Sequence, residues 1–102
     1  MEKRKPSFDL NRFKAVASDL RTLDLTETAL ATARSIGFDV DDIAKLVNTM
    51  NRRMFYKSMT SYADRTRWQD VYHVPTSDGR IIYLKFTSNV ITEFTVLSFK
   101  ER

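Results

Sequence analysis

The chain has 102 residues, 42% hydrophobic and 29% charged, with a formal net charge of +4 and no cysteine. That length suits a single folded domain over residues 1–102 and is too short for two. Disulfides and thiolate metal sites are excluded, and with His73 as the single histidine so are a histidine-built zinc site and a paired-histidine ribonuclease mechanism.

No apolar run approaches the roughly 20 residues that span a bilayer. The start, MEKRKPSFDL, is charged and lacks a following apolar segment, so no secretory signal is expected and the location expected is cytoplasmic. Ten Lys/Arg and eight Asp/Glu lie in residues 1–56, seven and five in residues 57–102. The positive excess is thus even along the chain, and any face for a polyanion must be assembled by folding.

Met1–Ser7 reads as a charged lead-in, closed to helix by Pro6. Asp9 caps a first helix whose Leu10, Phe13, Val16, Ala17 and Leu20 fall in one apolar stripe. Leu23-Asp24-Leu25 reads as a linker or a short edge strand. Thr26 caps a second helix carrying Ala29, Leu30, Ala33 and Ile36, and Gly37 ends it. A third helix opens at Asp39, with Asp42 completing a capping-box pattern; it buries Val40, Ile43, Ala44 and Val47, with Leu46 or Met50.

After Asn51-Arg52-Arg53 the apolar period changes from helical spacing to alternation. Phe55–Met59 reads as extended and Ala63–Thr66 as a turn, and Trp68–Val74 is a strand. Pro75-Thr76-Ser77-Asp78-Gly79 is a strong turn signal, followed by a strand over Arg80–Thr87, a turn at Ser88-Asn89 and a last strand over Thr92–Lys100. Helices first and hairpin strands afterwards predict an α+β fold: an antiparallel β-sheet with the N-terminal helices packed on one face.

Alternation then assigns faces. With Ile82, Leu84 and Phe86 toward the helices, Tyr83 and Lys85 face away. Burying Leu97 with Phe99 puts Lys100 on the open side, and burying Trp68 with Tyr72 puts Gln69, Val71 and His73 there. Gln69, Tyr83, Lys85 and Lys100 thereby converge, with Lys57 entering from the preceding strand. One reading of such a polar sheet face is that it simply meets water. The set also fits metal-free RNA cleavage, in which the 2′-hydroxyl attacks the adjacent phosphate. Ammonium groups hold the phosphoryl oxygens, tyrosine passes a proton and glutamine orients a hydroxyl or base edge. No carboxylate or histidine spacing marks a metal site, and no cofactor is expected.

The run FYKSMTSYADRTRWQDVY, with YLKF after the turn and SFKER at the end, resembles the MqsR (motility quorum-sensing regulator) toxin family, and MEKRKP fits as well. The resemblance covers the whole chain, most closely from Phe55 to Tyr72 and at the C-terminal end. It implies a RelE/YoeB-like fold. It also implies a sequence-specific messenger-RNA endoribonuclease that cuts at GC-containing triplets such as GCU. Such a toxin is neutralised by an MqsA-like antitoxin with zinc-binding and helix-turn-helix domains.

The family's active-site positions fall on Lys57, Gln69, Tyr83 and Lys100, with Arg65, Arg67 and Lys85 as expected RNA contacts. Two departures stand out: Arg65 replaces a histidine, and His73 stands where an arginine is expected. His73, a lone histidine in a segment unlike the family pattern, is left outside the site. The alternative reading is a noncatalytic RNA-binding or regulatory module.

Overall fold

A computed structural model describes residues 1–102. The three helices, α1 (Leu10–Ala17), α2 (Glu27–Ser35) and α3 (Val40–Asn48), begin where the sequence places caps. Asp9 accepts from the amides of Asn11 and Arg12, and Thr26 from that of Ala29. Asp39 and Asp42 close a reciprocal capping box. Gly37, at φ +92°, ends α2: its amide bonds Arg34 O and that of Phe38 bonds Ala33 O, a pairing that satisfies the last carbonyls. Leu20, expected on the α1 stripe, lies beyond the end of that helix and is exposed.

Five strands form one antiparallel sheet in chain order: β1 (Glu2–Lys3), β2 (Phe55–Met59), β3 (Gln69–Pro75), β4 (Ile81–Asn89) and β5 (Glu93–Glu101). The fold is therefore α+β, as the element order predicts. The free edge of β5 is partly covered, because Leu25 forms a parallel bridge to Val96 and Thr26 N bonds Val96 O at 3.1 Å. That piece serves both as linker and as edge cover. No helix is long and apolar enough to cross a membrane.

The core fills the space between the helices and one sheet face, with Phe13, Ile43, Val47, Tyr72, Val74, Ile82, Leu84, Phe86, Val96 and Phe99 almost fully buried. Phe13 of α1 stacks on Phe86 of β4, ring centroids 3.6 Å apart, while Phe94 meets both rings edge-on.

The expected pairing of Leu97 with Phe99 in the core does not hold. Lys85 pairs Ser98 but Phe86 pairs Val96, so Leu97 is an extra residue in a β-bulge. One inserted residue reverses the alternation. Phe94 and Val96 consequently join Phe99 in the core, and Leu97 stays partly exposed.

The lead-in Met1–Ser7 is the larger surprise, for it is built into the sheet. Beyond the β1–β2 pairing, Thr60 N bonds Met1 O at 2.9 Å. The fully buried carboxylate of Asp70 then accepts from Ser7 N at 3.0 and 3.1 Å and from Phe8 N at 3.0 Å. Charge on the segment conceals this docking from the sequence, since its anchors are backbone amides.

Candidate active site

Cross-strand register fixes the open face. Lys57, Val71, Lys85 and Ser98 lie in one row across β2 to β5, and His73, Tyr83 and Lys100 in the next. Met59 opposes Gln69, and Glu2 opposes Met59. Lys57, Gln69, Tyr83, Lys85 and Lys100 thus share the side of the sheet away from the helices, as alternation places them.

Two bulges shape that face. One, at Leu97, is described above; its effect is that Lys100 still opposes Tyr83. The other lies between Phe55 and Lys57, where Phe55 opposes core Tyr72 and Lys57 already opposes open-face Val71. Tyr56 is the extra residue, and its ring stacks on His73 at 4.3 Å. His73 in turn lies 6.0 Å from the Tyr83 ring, and Lys100 Nζ sits 5.0 Å over Tyr83. The result is a row of three rings closed by an ammonium. Tyr56 and His73 both belong to this face; alternation places His73 here, though outside the expected site, and does not single out Tyr56. The usable signal is the register shift, which alternation alone does not reveal.

The electrostatics are uneven. Lys57 Nζ lies 3.2 Å from Glu2 Oε2, and its side chain is only 17% exposed. Lys85 is half-buried and enters no ion pair. Burial holds its pKa below the ordinary lysine value, and Lys100 and Lys57 push in the same direction. Tyr83 is raised by burial, partly offset by the Lys57 charge, so it is a protonated phenol at neutral pH. His73 is lowered by burial and then by Arg102, which favours the neutral imidazole. Tyr72, raised to about 12 mainly by burial, belongs to the core on the other side of the sheet.

Arg65 and Arg67 do not join the cluster. Both are exposed in the β2–β3 connection. Arg67 donates to Ser88 O at 2.6 Å, and Arg65 lies over the Tyr62 ring at 5.6 Å. Trp68 is also turned from the open face, with Lys3 Nζ 4.2 Å from its ring. Tyr56, 40% exposed, is the ring the open face offers for stacking. No three His, Asp or Glu side chains gather where they could share a metal ion.

Fold and face together define a class: an α+β protein with a cationic, tyrosine-bearing sheet face suited to a polyanion. Residues 5–101 match the family described as motility quorum-sensing regulator, toxin of MqsA. The chain is also similar to the mRNA interferase toxin MqsR of Escherichia coli (strain K12), 40% identical over 104 residues, covering 100% of both chains. The chain belongs to the MqsR toxin family.

Proposed function

We propose that this toxin cuts messenger RNA without a metal ion, using the open face of its sheet. Endoribonuclease activity itself follows from the family and the full-length relative; the division of roles is our reading. Lys57 and Lys100 hold the scissile phosphate, Tyr83 donates a proton to the leaving oxygen, and Gln69 positions the substrate. Arg65 and Arg67 meet the strand farther out. The observation that carries this reading is the convergence of three lysines and a protonated tyrosine in two adjacent register rows.

In such a site the 2′-oxygen attacks phosphorus while the P–O5′ bond breaks. The negative charge that grows on the phosphoryl oxygens is met by ammonium groups already in place. The products are a 2′,3′-cyclic phosphate and a 5′-hydroxyl. Magnesium is not needed, because cations and proton donors are all side chains. Incubation of the purified protein with a long RNA in EDTA, followed by primer extension, should give discrete cuts clustered at GC-containing triplets such as GCU. Loss of cutting in EDTA that magnesium restores would overturn the metal-free mechanism; cuts spread over all sequences would overturn the triplet preference.

A messenger-cutting toxin needs a neutralising partner, and we infer an MqsA-like antitoxin with zinc-binding and helix-turn-helix domains. Expression of the toxin alone should halt growth of its host, and co-expression of the antitoxin encoded beside it should restore growth. Unimpaired growth with active toxin and no antitoxin would contradict this.

A further inference from the structure

The open face holds three lysines in different settings, and one of them has no role beyond charge in the reading above. Lys57 is neutralised by Glu2 at 3.2 Å, and Lys100 is exposed and rests over the Tyr83 ring. Lys85 stands between them. Val71 separates it from Lys57 along their common row, Ser98 opposes it on β5, and Tyr83 precedes it on the same face of β4. Glu2 is the carboxylate that reaches this cluster, and it is bound to Lys57.

We infer that Lys85 is a catalytic residue, the general base that takes the proton from the attacking 2′-hydroxyl. This rests on the endoribonuclease reading and deepens it. The uncharged Lys85 amine accepts the 2′-hydroxyl proton as the 2′-oxygen bonds phosphorus. The P–O5′ bond breaks, and its electron pair goes to the 5′-oxygen, which takes a proton from Tyr83. Lys85 leaves as ammonium and Tyr83 as phenolate. Proton exchange with water restores both.

The geometry supplies the reason for choosing Lys85. Half-burial first, and then the neighbouring Lys100 and Lys57 ammonium groups, destabilise its charged form, and it has no carboxylate partner. Lys57 has a carboxylate partner, Glu2 at 3.2 Å, and Lys85 has none. Tyr83 is shifted the opposite way from a base and can only donate.

The test separates a base from a phosphate contact. Arginine keeps the charge but never loses its proton near neutral pH. Lys85→Arg, with an unchanged melting curve and RNA affinity, should lose roughly 10²–10⁴-fold in single-turnover cleavage, the range for a removed general base. Because the chain has no cysteine, Lys85→Cys alkylated with 2-bromoethylamine places one thioether lysine analogue of lower basicity at this position. It should restore much of the rate and move the rising limb of the pH–rate profile to lower pH.

Cleavage by Lys85→Arg within a few-fold of wild type would overturn the inference, as would an unmoved limb in the alkylated protein. Either result leaves the endoribonuclease reading standing. A wild-type protein that cuts no RNA under the same conditions would remove both.

Discussion

Lys100→Ala should remain folded and lose on the order of 10²–10³ in single-turnover cleavage, the scale seen when one preorganised donor to a transition-state oxyanion is removed. Lys100 is exposed, opposes Tyr83 across β4 and β5, and has Phe99 beside it facing the core. Its ammonium packs over the Tyr83 ring at 5.0 Å, a contact worth little at an exposed site. The stability change should therefore stay below about 0.5 kcal/mol, as for most surface substitutions. Lys100→Arg keeps the charge in a wider, planar group and should recover only part of the rate. A folded Lys100→Ala protein that cleaves at the wild-type rate would remove Lys100 from the active site.

Asp70→Ala should show the opposite profile, a large loss of stability. Asp70 is fully buried and holds the amides of Ser7 and Phe8, the step by which the N-terminal arm docks onto the sheet. Removing the carboxylate leaves two inward-facing N–H groups without an acceptor, at about 1–3 kcal/mol each. A loss of about 2–6 kcal/mol follows, lowering the melting temperature by roughly ten degrees or more for a domain of this size. Asp70→Asn keeps one acceptor oxygen and should lose less. The arm also carries Glu2 to Lys57, so its release removes that ion pair as well. A melting temperature within a degree or two of wild type would show that the arm does not depend on this anchor.

Those two residues mark how far the sequence could be read. Tyr83, Lys85 and Gln69 were legible on the open face because alternation along β3 and β4 is regular, and core residues such as Leu84 and Phe86 fix which face is which; Lys100 was legible because its neighbour Phe99 is core. The helices were legible because their caps are side chains with distinctive chemistry: Asp9, Thr26 and the Asp39–Asp42 pair. Leu97 was misread because a bulge shifts the alternation and leaves no mark in composition. Tyr56 was missed for a related reason, since the second bulge is what brings its ring onto His73. The N-terminal arm looks like a lead-in in the sequence because a two-residue strand is shorter than any pattern that alternation can declare. Arg65 and Arg67, expected as RNA contacts, sit in a loop whose path strand periodicity does not describe.

The central claim is that this sheet face promotes attack of an RNA 2′-hydroxyl on its own phosphate. The chemistry of the cut ends tests it most directly. Fragments released by wild-type protein in EDTA should carry 2′,3′-cyclic phosphate and 5′-hydroxyl termini, and a single 2′-deoxyribose at the cut position should abolish cutting there. Fragments with 3′-hydroxyl and 5′-phosphate ends, or undiminished cutting at the deoxy position, would contradict the account.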